Sequence, residues 1–199
     1  MSNVTLILTR VPVQEFNYGK RSGRWGVMAI FKGARISAAK FLSVAPVGAD
    51  GAGTTLGGRA LEITADGEVE CVAEFDTMER FRTDSNRKQF YMQVRPRPNQ
   101  PYMLTMFRSS TVAQLNKSGE CLRVHGHGYK QQGSSMDAGI LVHEAPHVGW
   151  LIGCISPRFK NKREQSSNRE PSRQAMEFIF EQMGGFAIGK KADLLVLDW

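Results

Sequence analysis

Nine short runs, each apolar or alternating and each closed off by Gly, Pro, Asn, Asp or Ser, constrain this chain more than any other feature. They are Val4–Thr9, Trp25–Phe31, Leu61–Ile63, Val69–Phe75, Phe90–Val94, Tyr102–Phe107, Leu122–His125, Ile140–His143 and Leu194–Leu197. β-Branched and aromatic residues in such runs suit a pleated surface with at least one buried face, and the frequent turn residues force the chain to reverse between them. Mostly antiparallel pairing follows.

A different periodicity takes over near the C-terminus. Met176, Ile179, Phe180 and Met183 fall at i, i+3, i+4 and i+7, while Arg173, Gln174, Glu177 and Gln182 lie off that stripe. Pro171 or Ser172 suits the entry of a helix and Gly184-Gly185 its exit, which predicts a helix over about 172–183 packed on the sheet. The expected fold is a β-rich α+β single domain spanning 1–199, a length sufficient for one hydrophobic core.

With 41% hydrophobic and 23% charged residues the chain has the balance of an ordinary globular protein. No apolar run reaches the length of a membrane span. The opening Met1–Arg10 lacks both the basic region and the small-residue cleavage site of a secretory signal.

Against this framework the segment Gly139-Ile-Leu-Val-His143 and the later Gly153-Cys154-Ile155 carry the chemistry. A free cysteine is mostly thiol at neutral pH, and an imidazole close to it can take the proton or stabilise the thiolate. Ile140–Val142 read as a short buried strand that delivers His143 at its end. Pro146 and Gly149 read as a turn that returns the chain to Gly153-Cys154. Gly153 leaves backbone N–H groups open to a developing oxyanion, so Cys154, His143 and Gly153 form a candidate nucleophile, base and oxyanion holder. The same residues equally suit a buried structural cysteine and a satisfied strand-end histidine. A group to orient His143 is open among Asp137, His147 and a backbone carbonyl, because Glu144, adjacent on a strand, would point to the opposite face.

This pattern, a Gly-Ile-Leu-Val strand with its histidine and Gly153-Cys154-Ile155 beginning ten positions after His143, resembles a small bacterial and phage family of unknown function. Pro171–Glu177 and Met183–Phe186 are similar to that family's closing helix and its stop. More distantly, the pairing resembles the catalytic core of YkuD-type L,D-transpeptidases, although Leu151 and Ser156 stand where those enzymes carry Ser or Thr and Arg. The resemblance implies Cys154 as nucleophile, His143 as base and peptidoglycan stem peptides as substrate. With no secretory signal read at Met1–Arg10, the expected location is the bacterial cytoplasm by default, with export by a signal-peptide-independent, type VI-like route as the alternative.

Other groups compete for attention. Val124-His125-Gly-His127-Gly128 sets two imidazoles on one side of an extended strand, so with His143 they could bind zinc, or with His147 they could form a polar second layer around the cysteine. No carboxylate or second cysteine stands at a typical ligand spacing, so no metal or cofactor is assigned. Of the three cysteines, Cys71 reads as structural and Cys121 has no nameable neighbour; no disulfide framework is indicated. The Val47–Gly58 tract lacks the Gly-Lys-Ser/Thr ending of a phosphate loop and reads as a plain loop.

The net charge of +7 favours anionic partners. Between Arg158 and Arg173, the cations Arg158, Lys160, Lys162, Arg163, Arg169 and Arg173 oppose only Glu164 and Glu170, and all but Arg173 fall in a solvated basic loop predicted over 156–171. No nucleic-acid-binding pattern accompanies it, so no specific nucleic-acid site is expected; the resemblance implies peptidoglycan as partner, and the basic surface suits an acidic protein as the alternative. Two functions remain: a cysteine-dependent acyl-transfer or amide-hydrolysing enzyme, and a non-catalytic binding or effector protein in which the cysteine cleft is vestigial.

Overall fold

A two-residue turn at Gly19-Lys20 joins β1 (Asn3–Tyr18) to β2 (Arg21–Gly33), and this long antiparallel hairpin begins the wall of a closed barrel. The computed structural model describes residues 3–43, 54–81, 94–128, 139–151, 153–159 and 168–198. β3 (Ile36–Phe41), β4 (Thr55–Leu56) and β5 (Arg59–Ala65) form a separate three-stranded sheet. β6 (Val69–Phe81), β7 (Arg97–Arg108), β8 (Glu120–Val124), β9 (Leu141–Val142), β10 (Ile155–Phe159) and β11 (Lys191–Val196) complete the barrel. Its order is β1-β11-β7-β8-β9-β10-β6-β2, closing back on β1. The pairs β1–β11 and β9–β10 are parallel; the other barrel pairs are antiparallel.

Alternation decides what fills the barrel. Leu6 and Leu8 of β1, Met28 and Ile30 of β2, Leu104 and Met106 of β7, and Leu194 and Val196 of β11 join one buried cluster. Each such side chain taken fully out of water contributes about 1.5–3 kcal/mol. Helix α2 (Glu170–Gln182) adds Met176, Ile179 and Phe180 to the same cluster, and Met183 at its C-cap joins them, so the predicted stripe is indeed the buried face. The helix starts two residues before the expected Ser172, with Pro171 in its first turn. It stops where Gly184 and Gly185 adopt φ +83 and Gly185 N–H bonds to the Phe180 carbonyl at 2.9 Å.

The chain is β-rich with a C-terminal helix, as the periodicities predict, but several strands are far longer than the runs that signalled them. β1 has 16 residues because Arg10 to Val13 form an irregularity opposite β2: Thr9 pairs with Val27 and the next registered pair is Gln14 with Trp25. Gly26 lies across from this irregularity, where a Cβ would approach the Thr9 carbonyl oxygen and Thr77 Oγ1 to 2.7 Å. From there the Arg10 guanidinium, fully buried, reaches Glu79 through bonds of 2.6 and 2.8 Å.

Four expectations change. A short helix, α1 (Ser110–Asn116), stands between β7 and β8. The start of the predicted basic loop, 156–159, is strand β10, and Arg158 is buried there rather than solvated. Cys71 is on a strand as read but exposed, so it holds no core position. The Val47–Gly58 loop includes strand β4 and the turn at Gly57-Gly58; its residues 47–53, the run at 90–93, and Lys160, Lys162, Arg163 and Glu164 lie outside the described residues. No helix among the described residues is long and apolar enough to cross a membrane.

Candidate functional site

Val142 and Ile155 are register partners in the parallel pair β9–β10, and His143 N–H donates to the Ile155 carbonyl at 3.0 Å. Both partners face the barrel interior. Alternation therefore directs Leu141, His143, Cys154 and Ser156 to the outer face, with Cys154 beside Leu141 and His143 beside Ser156. His143 and Cys154 are diagonal neighbours there, a spacing of roughly 8 Å between Cα atoms in a regular sheet.

The imidazole has a defined tautomer. His143 Nδ1 lies 2.7 Å from the Glu144 carbonyl oxygen. A carbonyl can only accept, so Nδ1 carries the proton and Nε2 keeps its lone pair. Burial pushes His143 down to about 4, which leaves it neutral at pH 7 and able to accept a proton. The orienting group left open by the sequence is thus a backbone carbonyl. Asp137 lies outside the described residues, and the Glu144 side chain sits instead 3.8 Å from Arg169.

Cys154 is 7% exposed and packs with Trp25, Met78, Leu141, Val148 and Leu151. Its Sγ donates to the Gly139 carbonyl at 3.8 Å. Gly153, at φ +77, makes the bend that returns the chain into β10. A second thiol enters the same face: continuing the Leu122–Val142 pairing of β8 with β9 sets Cys121 opposite His143. Burial, and then the neighbouring Cys154, push the Cys121 thiol up to about 12, and its Sγ donates to the Phe107 carbonyl at 3.3 Å. β8 and β10 flank β9, so Cys121 and Cys154 stand on strands with one strand between them, and both are free thiols.

The turn between His143 and Gly153 folds down over this face. Arg158 donates to the carbonyls of Ala145 (2.9 Å) and Pro146 (3.2 Å), while Ala145 N–H donates to Ser172 Oγ at 3.1 Å. Ser172 in turn donates to the Pro157 carbonyl at 2.7 Å and lies 2.8 Å from Ser156 Oγ. A 3-10 turn at Val148–Trp150 completes the cover and buries Val148 against the Trp25 and Met78 cluster. His147 caps it by accepting from Gly149 N–H at 3.1 Å, and its ring stacks on Tyr18 with centroids 4.4 Å apart. Burial, and then Arg21, hold His147 below the usual histidine range. The residue therefore shapes the cover rather than orienting His143.

The remaining histidines go elsewhere. His125 Nε2 lies 2.8 Å from Thr105 Oγ1, which turns it towards β7, and His127 is buried just beyond β8. Among the described residues no group of three or more His, Cys, Asp or Glu side chains could hold a metal ion. The sequence reading missed Cys121 and Arg158. The alternation of Glu120–Val124 assigns Cys121 a face, but which strand lies beside it is a non-local fact. No family model, curated protein or solved structure matches this chain.

Proposed function

We propose that the chain is a cysteine-dependent acyl-transfer or amide-hydrolysing enzyme whose substrate is a peptidoglycan stem peptide. In this reading Cys154 Sγ attacks a peptide carbonyl carbon as His143 Nε2 takes the thiol proton. The tetrahedral oxyanion is held by N–H groups at Gly153 and Cys154. Collapse breaks the C–N bond, His143 returns the proton to the leaving amine, and an amine or water releases the acyl group from its thioester. The observation that carries the reading is the Val142–Ile155 register, which directs a neutral, tautomerically defined imidazole and a thiol to one face. Resemblance alone supplies the substrate. Productive attack requires the turn at 144–151 to lift, since both groups are nearly inaccessible and Cys154 packs against Val148 and Leu151 of that turn.

That burial favours a second reading, a binding or effector protein in which Cys154 serves as a core residue. Mass spectrometry of peptidoglycan fragments incubated with the wild type, Cys154→Ala and His143→Gln separates the two. The enzyme reading expects cleavage or exchange by the wild type, loss of it in Cys154→Ala, and an acyl adduct on Cys154. A wild type inert on these fragments, or a fully active Cys154→Ala, sinks it.

A further inference from the structure

The outer wall of the barrel divides into three sectors. The β3–β5–β4 sheet covers one, burying Ile7, Val27, Phe31 and Leu195. The turn after His143 and helix α1 cover the second, burying Trp25, Met78 and Cys121. The third is the outer face of β7 between Met103 and Phe107; β3 packs against β7, and the His125 ring reaches Thr105 Oγ1 at 2.8 Å in the middle of this face. Met103 is 40% and Phe107 36% exposed there, and Ile188, in the turn that bonds through Gly189 to Met106, is 67% exposed. Apolar side chains left exposed on a sheet face and in the turn beside it suit a partner rather than water.

Charge specifies the partner's sign. Lys191 of β11 and Arg123 of β8 flank Thr105 across the sheet, and the Arg123 guanidinium lies 5.5 Å from the Phe107 ring centroid. Below Met103 opens a cleft of about 730 Å³ with Pro101 and Met183 in its lining; Arg35, Lys190 and Lys191 also line it, with Asp193 as its acid. Arg35 is paired with Asp193 at 4.0 Å and Lys190 donates to the Gly184 carbonyl at 2.8 Å, so Lys191 and Arg123 are the cations this face offers a partner.

Geometry specifies the form. β7 is hydrogen-bonded to β11 on one side and β8 on the other, so an incoming chain cannot add as a strand and must dock through side chains. Met103 and Ile188 are not stacking surfaces, and Phe107 alone among the exposed apolar groups here is aromatic, whereas single-stranded nucleic acid is bound on rows of aromatics. We propose that the outer face of β7, with its adjoining cleft, docks an acidic amphipathic helix of a partner protein. Leucine-type side chains would seat on Met103, Phe107 and Ile188, with carboxylates against Lys191 and Arg123. This surface is separate from Cys154 and stands whichever role that residue has.

The test is fluorescence anisotropy with a synthetic peptide carrying Leu at i, i+3, i+4 and i+7 and Glu on both flanks. Saturable binding by the full chain is expected, weakened by salt and unaffected by Cys154→Ala. The pair Lys191→Glu/Arg123→Glu, and separately Met103→Ser/Phe107→Ser, should each weaken binding roughly tenfold or more while circular dichroism stays native. Single substitutions Lys191→Glu and Met103→Gln keep the test usable if either pair misfolds. The proposal is overturned by absence of saturable binding or by variants that bind like the wild type. Equal binding of a scrambled peptide of the same composition, or tighter binding of oligothymidylate, overturns it as well.

Discussion

Arg158 donates from one guanidinium nitrogen to the carbonyls of Ala145 and Pro146, which ties the turn after His143 to the strand that follows Cys154. The arginine is 1% exposed, so the bonds are made away from competing water. Arg158→Ala should leave two buried carbonyls without this donor and cost about 1–3 kcal/mol in urea unfolding. It should also speed alkylation of Cys154 in the native protein. Labelling unchanged from wild type would show that the turn is held by its apolar contacts alone.

Protonation of His143 should couple to stability. Its folded value of about 4 lies below the unfolded one near 6.5, so the unfolded chain binds a proton that the folded chain refuses. The stabilisation is fully present above about pH 6.5 and is lost as pH falls towards 4, a total of about 3 kcal/mol. Denaturant melts of wild type and His143→Gln across that window check this. Parallel pH profiles would mean that other groups dominate.

Thiol chemistry should separate the cysteines. Cys71 is exposed, whereas the buried Cys121 thiol is pushed up to about 12. Iodoacetamide at pH 8 followed by peptide mapping should modify Cys71 first and leave Cys121 untouched until the protein unfolds. Early labelling of Cys121 would contradict its burial under α1.

The buried pair of Arg10 and Glu79 offers a coupling measurement. Arg10→Met strands a carboxylate that is 2% exposed and should cost about 3–5 kcal/mol. Adding Glu79→Leu should recover much of that loss, because the stranded charge is gone. Strictly additive effects in the double-mutant cycle would argue that the two side chains act independently.

Helix α2 makes a simpler prediction. Phe180 is 7% exposed inside the barrel cluster and meets Phe186 at 5.1 Å between centroids, so Phe180→Ala should cost about 3–5 kcal/mol. A loss below about 0.5 kcal/mol would place the stripe at the surface.

Period and punctuation in the sequence determined the local elements. Met176, Ile179, Phe180 and Met183 announce α2 because a buried helical face repeats at 3.6 residues, and the runs around Leu6, Met28 and Leu104 announce strands for the corresponding reason. His143 and Cys154 were legible as a candidate pair from residue type and the turn between them. Which strands are neighbours was decided only in the tertiary structure. β1 meets β11 across the whole length of the chain, and β8 sets Cys121 opposite His143, because closing a barrel satisfies strand edges with distant partners that carry no local signal. Arg158 shows the same limit: a cation reads as solvated until a turn folds back and offers it two carbonyl oxygens. Backbone and side-chain periodicity are properties of neighbours in sequence, whereas burial and register depend on which surfaces the folded chain brings together.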